Sequence, residues 1–262
     1  MSYLDQIDAD YPADFRPGRI LWTDPDGSRG TWTAPPGGDC PRLYRLRVAP
    51  EQLAAWWTSR INRFAAPPEV TVGPLETPGL AGWLVSQGYT RSGHDLLMAL
   101  GVAGRTSPVA PVATVTEVAD ADTLYQVFML ASLVFGDDAP APELSEFAFQ
   151  AMNASSTRAF AVADPDTGLV VASGAMTMHL GWAYLWAGQV HPDHRRKGLY
   201  RAVVEHRLKA AADLGADFVA THANPETSAP LLAKAGFLTI APIDHYRLNT
   251  PWAAPDQVSG IG

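Results

Sequence analysis

Apolar positions recur in this chain with two different periods, and the changes of period mark its elements. In the first hundred residues, short β-like runs at 20–23, 31–33 and 43–48 are separated by the turn-rich stretches TDPDGSRG and TAPPGGDCP. PEQLAAWWTSRINRF then predicts a helix, with Pro50 near its start and Leu53, Trp56, Trp57 and Ile61 at helical spacing. EVTV reads as a strand, PGLAGWLVSQG as a short helix closed by Gly88, and HDLLMAL as another strand. Residues 102–112, within GVAGRTSPVAPVA, are small, Pro-bearing and without period, and predict a linker. The second half is more regular. ATVTEV is strand-like, 120–135 is a helix with Leu124, Val127, Phe128, Ala131 and Phe135 on one face, and 143–153 is a second helix beyond the loop GDDAPAPEL. Strands follow at Thr157–Ala163, 169–179 and Trp182–Val190. After them come a helix at 198–214 stopped by Gly215, a strand at 217–222, a short helix at 228–235 stopped by Gly236, and the final strand-like LTIAPIDHYRL. TPWAAPDQVSGIG, 250–262, reads as a loose tail. The expected organisation is an N-terminal domain at 1–101, a linker, and a larger domain at 113–249.

One internal echo stands out. GYTRSGHDLLMAL at 88–100 and GFLTIAPIDHYRL at 236–248 both follow a short helix, both open Gly-aromatic and both end in Leu at equal spacing, which is the pattern of a duplication.

Composition narrows the classes. Of 262 residues, 47% are hydrophobic and 18% charged, enough to bury a core. The net charge of −8 argues against nucleic acid as partner, because phosphate contacts dominate that affinity. Cys40 is the single cysteine, so no internal disulfide forms, and it suits a small buried residue better than a nucleophile. The N-terminal MSYLDQIDADY has no basic-then-apolar order of a secretory signal, and no apolar run reaches the ~18 residues of a membrane span, so a cytoplasmic protein is expected. Walker, HExxH, paired CxxC and GxSxG patterns are missing, and no metal is expected.

Against this acidic background, VHPDHRRKGLYRA is unusual. From His191 to Lys209 there are six Lys or Arg against Asp193 and Glu205, a net of +4. A strand ends at Val190 and a helix begins near Gly198. A helix start exposes unpaired N–H groups and the positive end of the peptide dipoles, and a glycine there lets an anion come close. Flanking Arg and Lys add charge-assisted contacts. The turn suits a diphosphate, although a solvated basic helix start has the same composition.

Val190-x-Pro192-x-x-Arg195-x-x-Gly198 resembles the signature of the GNAT superfamily of N-acetyltransferases, and THANPETSAPLLAKAGF resembles that family's strand, Asn, short helix and Gly-Phe closure. The resemblance follows element order over 113–249 and is specific over 184–237. Residues 1–101 look like a truncated copy of the same fold without the Arg-x-x-Gly turn. The resemblance implies an α/β (α+β) acyl-CoA N-acyltransferase fold: a mixed central sheet flanked by helices, in tandem with a smaller GNAT-like N-terminal domain. It implies acetyl-CoA as cosubstrate. The N–H groups of Arg196, Lys197, Gly198, Leu199 and Tyr200 would hold the pyrophosphate beside Arg195. The strand end from Gly188 to Val190 would pair with the pantetheine arm, and Asn224 and Ser228 would bond it from the facing strand. For Asn224 and Ser228, a turn or cap role is an equal alternative.

Four positions depart from the family pattern. Tyr200 stands where a second small residue is usual. Tyr184 and Trp186 stand where Glu or His is frequent. Leu232 stands where many members carry a Tyr acid. The remaining candidates for chemistry are Tyr184, as donor to the leaving thiolate or as a packed aromatic, and His222, as base or as a core histidine facing the same way as Asn224. Asp138 and Glu143, with Asp137, lie in the segment that borders the acceptor pocket in this family, and Trp186 would line it. The reading is transfer of an acetyl group to a small-molecule amine, without nucleic acid or membrane, by a chain compatible with a homodimer. A non-catalytic CoA-binding or interaction module is the alternative.

Overall fold

The computed structural model of the chain describes residues 2–9, 19–23, 25, 27–33, 41–61, 66–105, 112–136 and 141–248. Cys40, Asp137, Asp138, most of the expected linker and the tail lie outside the described residues. Two compact units divide the chain. The first draws on Met1–Pro12, Gly18–Leu96 and Ala241–Gly262, and the second spans Leu97–Ile240. The boundaries therefore fall inside two strands, at 96/97 and 240/241, rather than in the expected linker at 102–112 and at 249.

The first unit contains α1 (Tyr3–Ala9), β1 (Arg19–Thr23), β2 (Arg29–Thr33), β3 (Arg42–Arg47), α2 (Leu53–Ile61), β4 (Glu69–Val72) and α3 (Leu80–Ser86). It also contains the first part of β5 (Tyr89–Gly101) and, from the far end of the chain, most of β11 (Leu238–Leu248). β1, β2 and β3 run antiparallel in sequence, β3 and β4 are parallel, and β4 pairs antiparallel with β11. The helices close one apolar layer in which Leu43, Leu46, Leu80 and Leu84 are fully buried. The Trp57 ring meets those of Trp83 and Tyr89 edge-on at 4.9 and 5.8 Å, a geometry that adds to the apolar burial. α1 was not apparent from the sequence: it has seven residues and buries only Ile7.

The second unit carries β6 (Thr116–Glu117), α4 (Ala121–Phe135), α5 (Pro142–Asn153), β7 (Thr157–Ala163), β8 (Val170–Met178), β9 (Trp182–Val190), α6 (Leu199–Asp213), β10 (Phe218–Ala223) and α7 (Ser228–Lys234). β6 to β9 pair antiparallel in order, and β10 lies parallel to β9 on its other side. Nearly every residue of β8 is buried, as expected of a strand covered on both faces. α4 and α5 pack with β7 and β8 through Leu124, Val127, Leu130 and Met152, while α6 packs with β8 and β9 through Leu199 and Val203.

Local chemistry accounts for the ends of α4. The Asp120 carboxylate accepts from the Thr123 N–H at 2.7 Å as its N-cap, and that hydrogen bond holds the carboxyl below its ordinary pKa. A carboxyl lowered in the folded state contributes stability above its unfolded pKa and loses it as pH falls through the folded value. Asp120→Ala is expected to cost about 1 kcal/mol at neutral pH. In urea titrations the gap between wild type and variant should close as the pH drops below the ordinary Asp range.

Candidate active site

The site begins with a surplus residue in β9. Ala172 and Ser173 of β8 pair with Val190 and Gln189, but Ala175 pairs with Trp186, so Gly174 alone faces Ala187 and Gly188. This is a β-bulge, and Ala187 takes the left-handed φ of 49° that such a position asks for. On its other side β9 keeps parallel register with β10 only as far as Tyr184 and Ala220. One step further the Thr221 hydroxyl donates to the Leu185 carbonyl at 2.8 Å, and a cleft of about 250 Å³ opens there.

β9 contributes Leu185, Trp186, Ala187 and Gly188 to the cleft wall; β10 and the turn after it contribute Thr221, His222, Asn224 and Thr227. Ser228 and Leu232 of α7, Phe135 of α4, and Tyr200 and Arg207 of α6 complete it. No carboxylate is among these side chains. His222 is the lining group of a type that exchanges protons near neutrality. Its ring meets that of Tyr184 edge-on at 5.7 Å, so the two candidates for chemistry stand together.

The basic turn lies where the sequence puts it. Pro192–His194 form a short 3-10 turn, Arg196 has φ 64°, and Gly198 has φ 79° as N-cap of α6. That φ is the reason for glycine, because a Cβ there is strained. Arg195, Arg196, Lys197 and Gly198 are exposed. Among the described residues the N–H groups of 196–201 have no hydrogen-bond acceptor, so the helix start is chemically open. The exposed Val112 side chain lies over it, 3.1 Å from where a Gly198 Cβ would be. These residues fit the diphosphate of a coenzyme A: unbonded donors, concentrated positive charge and a glycine at the closest approach. Leu199 and Val190 are buried in the core together with Val203, so only their backbone groups remain for a ligand.

The other sequence-derived candidates divide. Tyr200 turns away from the diphosphate turn and lays its ring against Gly188, with Cε2 3.1 Å from the position of a Gly188 Cβ. Burial raises its pKa, partly offset by Arg207, so its hydroxyl stays protonated. Asn224 and Ser228 line the cleft, but their oxygens serve the turn. Asn224 Oδ1 accepts from the N–H groups of Glu226 and Thr227, and Ser228 Oγ accepts from the Asn224 N–H. Trp186 lines the cleft and donates its indole N–H to Thr177 at 3.1 Å. Glu143 sits exposed in the first turn of α5 and is not among the lining side chains, while Asp138 lies outside the described residues.

One residue of the site escaped the sequence reading. Arg207 is only 2% exposed. Its guanidinium donates to the carbonyls of Ala175 and Trp186 at 3.0 and 3.1 Å and to Val203 at 3.3 Å. Ala175 and Trp186 flank the bulge, so Arg207 satisfies carbonyls beside the interrupted ladder. Burial lowers its pKa to about 10, with Tyr200 opposing, and it remains charged at neutral pH. The available signal was an arginine in the middle of a buried helical stripe, between Val203, Val204, Leu208 and Ala211.

Comparison with known proteins places this geometry. Residues 122–237 match the model of the acetyltransferase (GNAT) family. A GCN5-related N-acetyltransferase from Kribbella flavida superposes with a TM-score of 0.72 at 18% identity, over 95% of this chain and 97% of that one. A tandem GNAT protein from the clavulanic acid biosynthesis pathway gives a TM-score of 0.64 at 17% identity, over 92% and 86%. A GCN5-related N-acetyltransferase from Sphaerobacter thermophilus gives 0.62 at 15% identity, over 94% and 84%. A search of curated proteins found no match. The match to the GNAT family model lies within the second unit, and the fold is shared with GNAT proteins over nearly the whole length of the chain. Among the described residues, no group of three or more His, Cys, Asp or Glu is placed to hold a metal ion, and no helix is long and apolar enough to cross a membrane.

Gly174 tests the packing under the site. A Cβ there would stand 2.7–3.0 Å from Arg207 Cζ, Nη1 and Nε. Those atoms are pinned by carbonyls, so the guanidinium cannot yield without leaving a buried charge and orphaned acceptors. Gly174→Ala is expected to cost roughly 2–4 kcal/mol, read as a lower denaturant midpoint with an unchanged slope.

Proposed function

We propose that the second unit is an acyltransferase that binds acetyl-CoA and passes the acetyl group to the amine of a small molecule. The observation that carries this reading is the open helix start of α6, with its unbonded N–H groups and Arg195, Arg196 and Lys197, next to a cleft where β9 and β10 part company. The backbone of 196–200 would hold the diphosphate, and Gly188 to Val190 would lie along the pantetheine arm. Asn224 would contribute its amide N–H groups, since its oxygen is committed to the turn. The bound cosubstrate supplies an activated thioester. His222 takes the proton from the attacking amine, directly or through water, and Tyr184 beside it donates toward the departing sulfur. Much of the rate would come from holding the two reactants together in the cleft. The aromatic Phe135, Trp186 and Tyr200 in the lining, together with the net charge of −8, favour a small acceptor over nucleic acid.

A second reading has a specific observation behind it. Leu232 is buried in the cleft wall where the family pattern has a tyrosine acid, and the described lining residues include no carboxylate. A non-catalytic CoA-binding module would have these features.

Calorimetric titration with acetyl-CoA, CoA and ATP at two salt concentrations tests the binding. Micromolar binding of both CoA forms, weaker for ATP and weakened by salt, is expected. Gly198→Glu should abolish it, while far-UV circular dichroism shows the fold retained; normal CoA binding by a folded Gly198→Glu protein would refute the diphosphate assignment. Turnover is followed by thiol release across an amine panel. His222→Ala should lower kcat by about 10²–10⁴ and remove the limb of the pH profile on which a base must be deprotonated. Binding without turnover of any amine would select the non-catalytic reading.

A further inference from the structure

Arg207 holds more hydrogen-bonding capacity than the bulge uses. A guanidinium has five N–H donors. Nε and Nη1 serve Val203, Ala175 and Trp186, whereas Nη2 has no acceptor among the described residues. Nη2 lies 3.2 Å from the position a Gly188 Cβ would take, and both residues line the cleft. Among the described residues no carboxylate balances this charge: the electrostatic partner facing it is the Tyr200 hydroxyl, which also leans on Gly188 at 3.7 Å from the same Cβ position. A buried cation without a counter-ion is costly, and one aimed into a cleft offers that position to an anion.

We propose that Arg207 Nη2, with the Tyr200 hydroxyl, receives the free carboxylate of a short dicarboxylic acyl chain, so that beside acetyl-CoA the cleft accepts an acidic acyl-CoA of the succinyl size in preference to a neutral chain of the same length. The proposal rests on the reading of this cleft as a CoA thioester site. That reading runs the pantetheine arm from Val190 to Gly188, away from the diphosphate turn, so the thioester follows at the Gly188 end and Nη2 beside Gly188 sets the acyl chain short. Three neighbouring features support an oxygen anion here. Gly188 has no side chain to cover Nη2. Of the lining hydroxyls, those of Thr221 and Thr227 give their hydrogens to Leu185 and Asn224, while Ser228 Oγ accepts from Asn224 and keeps its hydrogen to donate, and the described lining residues include no competing acid. The other nitrogens of the guanidinium are fixed by backbone carbonyls, so the free edge has a set direction. In the transfer, the amine nitrogen bonds to the thioester carbon and the carbon–sulfur bond breaks. The amine's proton ends on the CoA sulfur, and the distal carboxylate passes unchanged into an amide product bearing a free acid.

The test compares succinyl-CoA, its neutral isostere succinamoyl-CoA, butyryl-CoA and free CoA on the full-length protein, by calorimetry and by kcat/KM with one amine. Wild type is expected to favour succinyl-CoA at least tenfold over both neutral donors. In Arg207→Gln that ratio should fall to near one, and Arg207→Lys should keep part of it. A purely structural arginine would lower all donors together and leave the ratio unchanged. Equal use of the acidic and neutral donors by wild type overturns the proposal, as does a preference that survives in Arg207→Gln. Should Arg207→Gln fail to fold, the wild-type comparison of succinyl- with succinamoyl-CoA decides. Failure of free CoA to bind would instead sink the CoA reading itself, and this proposal with it.

Discussion

The second unit is organised around one extra residue in β9. Opposite Gly174 the strand must fit both Ala187 and Gly188, and it does so by turning Ala187 into the left-handed region. That breaks the ladder with β8 and leaves carbonyls beside the break in a dry interior, where an unpaired acceptor costs about 1–3 kcal/mol. Arg207 answers for Ala175 and Trp186 at once. The arrangement fixes several other choices. Gly174 has no side chain because the guanidinium lies against it, Gly188 has none because Tyr200 and Arg207 meet there, and α6 is held to both strands at that level. β9 then diverges from β10, and the space between them becomes the cleft.

α6 thus presents positive charge in two physical settings. At its start, Arg195, Arg196 and Lys197 are in water, where each is screened and inexpensive. Two turns along, Arg207 is in the interior, where the same charge acts strongly on anything that reaches it. One segment therefore carries screened positive charge outside the cleft lining and a buried, directed positive charge within it. The described residues that line the cleft include no carboxylate to neutralise Arg207.

Much of this was legible in the sequence. β7, β9 and the stops at Gly215 and Gly236 follow from periodicity and turn chemistry, and the basic turn from its composition and its resemblance to the GNAT motif. What was not legible depended on direction or partnership. Tyr200 was readable as a large residue in a small residue's place, but only the fold shows its ring inserted toward Gly188. Asn224 and Ser228 stand beside the cleft as expected, yet their oxygens close the turn that starts α7. Arg207 was hidden by its neighbours, since on a charge count it belongs with the exposed basic run. β5 begins at Tyr89, well before HDLLMAL, and that start was hidden because Thr90, Arg91 and Ser92 are exposed and break the alternation.

The unit boundaries bear on how such a chain can be inherited. The second unit takes Leu97–Gly101 from the strand that closes the first half, and the first unit takes Ala241–Leu248 from the strand that closes the second. A break anywhere in 102–112 removes part of a sheet from each product. Neither half is therefore free to be lost or shuffled away as a module: the gene must carry both lengths for either unit to keep its strands whole.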